Sequence, residues 1–316
     1  MKRFRNKYWA ERMTKLVIGN ILRYLLLIGL SFIILYPLIL KLSTSFMTEE
    51  DLLDTLVVYI PRNFTLDNYK VVAKYTNYFT ALKNTFFISF FCGIVQMFIC
   101  SYIGYGLARF KFKGRGLVTM LMYFTILAPP STFQTAMYLK FRYFDFFGII
   151  KLFTGNTISL LDTFWPLAIL SFTGFAFKNG LFIFMMRQYF KNIPEELEEA
   201  AYVDGSGVFR TYFKIILPLA KSMLLTVFLF SFAWQWTDTF YTRMFFSRIK
   251  TLSNALLKGF EGMMVAGKTL GLKNGQPLTI AYTGTMSLMV IAPLIIIYIF
   301  AQKSMTEGIE RSGIVG

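Results

Sequence analysis

Long charge-free apolar runs, separated by short clusters of basic or acidic residues, dominate this chain. Crossing a hydrocarbon core of roughly 30 Å as a helix takes about 20 mainly apolar residues, and six runs approach that length. Tyr24 to Leu40 follows a basic head and precedes, after Lys41, an acidic cluster at Glu49, Glu50, Asp51 and Asp54. Asn84 to Ala108 carries no charge and is bounded by Lys83 and Arg109, both able to snorkel to an interface. Leu117 to Leu139 is equally free of charge, with Pro129 and Pro130 placed to kink or break it near its far end. Thr163 to Met186 is interrupted by Lys178, Leu219 to Thr237 by Lys221, and Leu278 to Gln302 by no charge. The pattern predicts an all-α membrane protein with about six transmembrane helices.

The chain divides accordingly into a basic N-terminus at 1–23, a first transmembrane helix at 24–42, an outer loop at 43–83, a five-helix core at 84–302 with a polar loop at about 187–218, and a tail at 303–316. Lys2, Arg3, Arg5, Lys7, Arg12 and Lys15 precede the first span, and Arg109, Lys111, Lys113 and Arg115 fill the short loop between the second and third. Basic residues next to spans mark the cytoplasmic side. Both termini and the loop at 187–218 are therefore expected in the cytoplasm. The stretch from Tyr241 to Lys273, outside in this topology, supports the orientation poorly because it too is basic, so the first half of the chain carries it. The first apolar run is too long for a signal peptide and lacks a small-residue cleavage pattern, so it is expected to stay as an anchor.

Composition narrows the function. At 55% hydrophobic residues and a mean hydropathy of +0.53, the chain is more apolar than a domain that needs a polar surface. The net charge of +16 sits beside the apolar spans, where anionic lipid headgroups account for it better than nucleic acid does. Cys92 and Cys100 lie eight residues apart on one expected helix, too far for a disulfide. There is no histidine, which excludes imidazole metal sites and catalysis that depends on His. No metal, no cofactor and no enzymatic activity are expected.

The loop after the fourth span is the most informative polar stretch. Pro194 suits the first turn of a helix, and Glu195, Glu196, Glu198 and Glu199 suit the positive end of its dipole. Ala200 and Ala201 give it a small-residue patch, and Asp204, Gly205, Ser206 and Gly207 predict a tight turn. A second amphipathic run from Val208 to Leu217 ends at Pro218. On composition alone this is a solvated acidic hairpin. The fixed spacing of Glu199, Ala200, Ala201, Gly205, Ile215, Leu217 and Pro218, however, resembles the EAA loop of permease subunits of binding-protein-dependent ABC importers.

The resemblance extends along nearly the whole chain and is most specific to carbohydrate-type, MalG-like permeases. Asn84 and Thr85 fit the start of that family's transport core, Thr65 to Tyr69 an outer-loop segment, and Gln302, Gly308, Gly313 and Gly316 its C-terminal tail. It implies a type I ABC importer permease architecture with the loop at 187–218 as a coupling helix. Glu199 would then be the acidic contact to an ATPase, Ala200 and Ala201 a close-packing surface, and Gly205 the turn. It further implies a bacterial cytoplasmic membrane location and four kinds of partner: a second homologous permease, two cytoplasmic ABC ATPases, an extracytoplasmic sugar-binding protein and membrane lipid. The chain departs from the family at Trp236, Thr237 and Asp238, where an asparagine usually follows the tryptophan.

Gly262, Gly267, Lys268 and Thr269 satisfy the spacing of a phosphate-binding loop. Such a loop needs a buried strand before it and a helix after it. The preceding residues do not read as a strand, and Gly271, Gly275 and Pro277 oppose a helix. ATP hydrolysis is expected in a partner.

A sugar would need aromatic faces and amide, hydroxyl or carboxylate groups along its path. Gln96, Ser101, Tyr102, Ser171, Thr173, Lys178, Trp234, Gln235, Trp236 and Asp238 have that chemistry within the spans. Each has a plainer alternative as an interfacial aromatic or an interhelical hydrogen bond, and Lys178 as the point where its helix leaves the lipid. Two other functions stay open: an ABC permease for another solute, and an ATP-independent carrier. The carrier is disfavoured because no Asp or Glu falls mid-span to couple an ion.

Overall fold

The computed structural model describes the backbone over residues 2–257 and 275–311. The phosphate-loop-like segment, Gly313 and Gly316 lie outside these residues. In chain order the helices are α1 (Lys2–Ser45), α2 (Glu49–Leu53), α3 (Asp67–Thr76), α4 (Tyr78–Arg109), α5 (Arg115–Leu127), α6 (Gln134–Arg142), α7 (Ile149–Thr154), α8 (Trp165–Phe172), α9 (Asn179–Lys191), α10 (Glu196–Val203), α11 (Val208–Thr211), α12 (Leu217–Leu219), α13 (Lys221–Thr237), α14 (Phe240–Phe245) and α15 (Gly275–Arg311). Among the described residues the only extended pairings are two isolated bridges, Met47 with Phe64 and Phe144 with Ile158.

Among the described residues, three stretches are long and apolar enough to span a membrane outright: Leu16–Ser45, Tyr78–Arg109 and Thr279–Gln302. Two more spans follow if bent pairs count as one each. The first pair, Arg115–Leu127 with Pro130–Arg142, turns by 99°, and the second, Val208–Leu219 with Lys221–Thr237, by 78°. The first bend falls at Pro129 and Pro130, as their missing N–H groups and fixed φ require. The fourth expected span, Thr163 to Met186, is two shorter helices, α8 and α9, parted by residues 173–178. Gly174 and Lys178 both take positive φ there, which ends one helix before the next begins. Lys178 thus stands at a helix break, not in mid-helix.

The chain forms two compact units, residues 1–72 with 260–289 and residues 73–259 with 290–316. In the first, every residue of α1 from Leu16 to Leu35 is exposed, as a lipid-facing helix requires. The chain after α1 is tied down by side chains of the Thr65–Tyr69 segment. Asn68 Nδ2 donates to the carbonyls of Ser45 at 3.0 Å and Met47 at 2.9 Å, and Tyr69 pairs with the Ser45 hydroxyl at 2.9 Å. Asp51 accepts from the Asn63 amide at 2.8 Å.

In the second unit α4 is the central element, packed along its length against α13 and α9. Small residues set the spacing. A Cβ on Gly104 would lie 2.7 Å from Met186 Cβ and 3.0 Å from the Arg187 nitrogen, and one on Gly93 would lie 3.1 Å from the Phe228 ring. The core formed here joins Cys100, Tyr105 and Leu107 of α4 to Phe182, Met186 and Phe190 of α9 and Met223 and Val227 of α13. Helices brought this close by glycine gain dispersion and specificity that lipid cannot supply.

Candidate functional site

The loop at 187–218 folds as a helical hairpin. Glu196, Glu198 and Glu199 occupy the first turn of α10. Its other end closes in a Schellman turn: Gly205 N–H donates to Tyr202 O at 3.0 Å and Ser206 N–H to Ala201 O at 2.9 Å, with Gly205 at φ +78°. That left-handed conformation is the reason glycine is needed. α11 then runs into a π-helical turn at Tyr212–Ile216 and through α12, with Pro218 in its first turn, before the bend at Ala220 into α13. Ile215 and Leu217 pack against the core, whereas Pro218 is exposed. Glu199 and Ala200 also face outward, while Ala201 is buried.

The hairpin is fastened to the end of α4. The Arg109 guanidinium, expected to snorkel toward an interface, is instead only 6% exposed and lies against the hairpin. Its Nε sits 2.7 Å from Glu198 Oε1, its Nη1 donates to Glu195 Oε1 at 3.2 Å, and its Nη2 donates to the Ile193 carbonyl. Tyr105 donates to the other Glu198 oxygen at 2.9 Å, and its ring lies 4.9 Å from that of Tyr212. The Tyr212 hydroxyl in turn pairs with Ser101 at 2.8 Å, and Tyr189 donates to Leu219 O at 2.9 Å. A buried charge is tolerable only when paired and hydrogen-bonded, and Glu198 is both.

The ten candidate lining residues separate by how their polar groups are used. Trp236 is buried with its indole N–H on the Val290 carbonyl at 3.0 Å. Asp238 is buried beyond the end of α13 and accepts the N–H groups of Phe240, Tyr241 and Thr242 at 2.8 to 3.2 Å, capping α14. Thr173 bonds back to Ile169 O, and Ser101 is taken by Tyr212. Trp234 stacks between Phe182 and Phe230, with the Lys178 ammonium 5.7 Å from its ring and 5.1 Å from that of Phe177. Tyr102 is half exposed beside Tyr212. Gln96 and Ser171 meet across α4 and α8 at 3.5 Å. Gln96 keeps an unpaired carbonyl oxygen and Gln235 an unpaired amide nitrogen, both buried.

Residues 100–306 match the family of binding-protein-dependent transport system inner membrane components. The chain belongs to this family. Among its relatives, the maltodextrin transport system permease protein MdxG of Bacillus subtilis is 26% identical over 304 residues, covering 96% of this chain and 99% of the relative. The maltodextrin transport system permease protein MalD of Streptococcus pneumoniae is 29% identical over 293 residues, covering 92% and 94%. A crystal structure of a bacterial ABC transporter involved in import of the acidic polysaccharide alginate contains a similar chain, at a TM-score of 0.70 and 25% identity over 90% of this chain and 96% of that one. This chain is thus a membrane permease subunit of a binding-protein-dependent ABC importer. It works with a substrate-binding protein and an ATPase, and the ATPase is a separate subunit.

For a permease, two groups missed by sequence reasoning matter most. Tyr105, Arg109, Glu198 and Tyr212 hold the hairpin, and only the tertiary fold joins residues so far apart. Asn179, at the start of α9, is buried with both its amide oxygen and nitrogen unpaired, as are the hydroxyls of Ser89 and Ser231. The signal for Asn179 is an amide inside an apolar run, which Lys178 beside it obscured.

Proposed function

We propose that this permease subunit imports sugars or oligosaccharides across the cytoplasmic membrane of a bacterium by alternating access. It pairs with a second homologous permease above two cytoplasmic ABC ATPases, and an extracytoplasmic sugar-binding protein delivers the cargo. The observation that carries the cargo reading is that relatives matched over nine-tenths of the chain are named for maltodextrin, and the similar structure for alginate. Both termini lie in the cytoplasm in this reading. Support comes from Arg109, which opens the basic loop at 109–115 and touches Glu195 and Glu198, so that loop and the hairpin share one end of the bundle. Glu199 and Ala200, the outward residues of α10, form the ATPase contact, with Ala201, Gly205, Ile215, Leu217 and Pro218 shaping the hairpin behind them.

In this mechanism the ATPases close on ATP and push α10. Arg109 and Tyr105 pass the movement to α4, and Tyr212 and the bend at Ala220 pass it to α13. Gln96 of α4, Gln235 of α13 and Ser171 of the neighbouring α8 then face the opened path. The purified complex in proteoliposomes, with its binding protein, should hydrolyse ATP faster when oligosaccharide is added. Stimulation by an amino acid or peptide but by no carbohydrate would end the sugar reading. Glu199→Lys should abolish uptake while the chain remains in the membrane, and normal uptake by that variant would remove α10 from the coupling role.

A further inference from the structure

At the end of the bundle that carries the hairpin, α5 and α9 part to leave an open cleft of about 420 Å³ lined by Arg115, Gly116, Thr119, Met120, Tyr123 and Arg187. Its guanidiniums are held from behind. Arg115 Nη2 donates to Ala108 O at 3.2 Å and Arg187 Nε to Leu107 O at 3.4 Å. These are among the last carbonyls of α4, which have no intrahelical donor and favour a cation nearby. Each guanidinium has five N–H donors and gives α4 one of them. Lys191 lies one turn beyond Arg187, and burial first, with the Arg187 and Arg115 guanidiniums after it, holds its ammonium below the usual lysine pKa. Among the described residues no carboxylate lies within ion-pair distance of any of the three, unlike Arg109 with its two glutamates.

The rest of the cleft is apolar and firm. Met120 and Tyr123 are exposed, and so are Phe124 and Leu127, one turn further along the same side of α5. Tyr123 packs on Phe184 with ring centres 5.9 Å apart, and any Cβ on Gly180 would strike the Thr125 hydroxyl, so α5 and α9 are set at a fixed close approach. Three cations without a counter-charge call for an anion, and the apolar wall leading away from them calls for chains attached to it. We propose that this cleft binds the phosphodiester of an anionic phospholipid, phosphatidylglycerol or cardiolipin, with its acyl chains along α5. Basic pockets between membrane helices take such headgroups. A free phosphate would satisfy the cations and leave the apolar wall unused. The site is separate from the cargo path and does not depend on which solute is carried.

The test is native mass spectrometry of the complex released from nanodiscs holding phosphatidylglycerol and phosphatidylethanolamine of identical acyl chains. The wild-type complex should retain phosphatidylglycerol selectively, and millimolar inorganic phosphate should not displace it. Arg115→Gln with Arg187→Gln should weaken that retention by about 25-fold, at roughly fivefold per basic residue. Lys111→Gln with Lys113→Gln, equally basic and outside the cleft, should leave it unchanged. Equal loss in both double variants means a diffuse basic ring and overturns the site, as does no preference in the wild type. Displacement by phosphate assigns the cleft to a free anion. Loss of the ATPase subunit from the first variant with lipid still bound assigns it to a protein contact.

Discussion

At the foot of α4, Arg109 and Glu198 are buried charges whose partners are all supplied by the chain itself. About 20 Å along the same helix, Gln96 is buried with half its amide unmatched, and on neighbouring helices Gln235 keeps an unmatched amide nitrogen and Asn179 a side-chain amide unmatched at both ends. An unmatched buried polar group costs about 1–3 kcal/mol, so a membrane protein has reason to keep such groups only where another state uses them. The foot is held by an ion pair, although Arg109 Nε and Glu198 Oε1 meet at 2.7 Å without hydrogen-bond geometry, and in the proposed cycle it moves as one piece. In that same proposed cycle, the unmatched interior is where the two states differ.

The sharpest way to break this comparison is at the foot. Glu198→Ala leaves the buried Arg109 with only the exposed Glu195 and the Ile193 carbonyl, and since fully breaking one side of a buried pair costs about 3–5 kcal/mol, the loss here should approach the lower end of that range. The expected outcome is a large fall in the thermal midpoint of the detergent-solubilised complex, together with loss of the ATPase subunit on purification. Arg109→Met with Glu198→Leu, which removes both charges, should recover most of the midpoint. If the single variant is as stable as the wild type, the hairpin is not fastened through this pair.

Between the two regions lies Gly104, where α4 meets α9. Gly104→Ala places a methyl 2.7 Å from Met186 Cβ and 3.0 Å from a backbone nitrogen, and the latter cannot rotate away. Overpacking of this kind costs about 1–3 kcal/mol. Both the midpoint and the uptake rate should fall, because the rod joining foot and interior is displaced. A variant with normal uptake would show that α4 need not stay seated on α9.

In the interior the sign should reverse. Gln96→Leu with Gln235→Leu deletes two amides that each carry an unmatched buried atom, at the cost of the 3.5 Å Gln96–Ser171 contact. Stability should rise by about 1 kcal/mol in all, and the thermal midpoint with it, while uptake falls. Stability and transport moving in opposite directions is the signature of polarity kept for another state. A fall in both would mean that these amides are paired within this state.

Much of this was legible in the chain. The apolar runs fixed α1, α4 and α15, Pro129 and Pro130 fixed the bend after α5, and Gly205 fixed the Schellman turn, because each depends on local spacing or a residue's own backbone limits. Asp238 and Trp236 looked like pathway residues because their chemistry suits a sugar. Asp238 caps α14 locally, through N–H groups two to four residues ahead, a use open to any Asp just before a helix, whereas the bond from Trp236 to Val290 depends on chain folded back from further on. Arg109 was read as an interfacial residue for the same reason, since its partners lie 86 and 89 positions away at Glu195 and Glu198. Periodicity shows that a polar residue is enclosed, and only tertiary structure shows with what.

The smallest effect is expected at a third polar fitting, paired like the foot but open to water. Asp162 accepts the N–H groups of Ser247 at 2.6 Å and Arg248 at 2.7 Å and the Ser247 hydroxyl at 2.6 Å, tying the loop before α8 to the chain after α14. Partial burial works to raise its pKa, but these donors, with the Ile249 N–H, outweigh it and hold the carboxyl below the usual aspartate value. A depressed carboxylate contributes stability above its unfolded pKa, about 3.9, and loses it as pH falls through the lower folded value. The tie should therefore hold from neutral pH to about 4 and weaken below that. Screening limits its worth to under about 1 kcal/mol. Amide exchange at Ser247 and Arg248, corrected for intrinsic rate, should be slow at neutral pH in the wild type and faster in Asp162→Asn, with the two converging once pH falls below the depressed folded value. Identical protection in both proteins at neutral pH would show that the carboxylate charge is not what closes this loop.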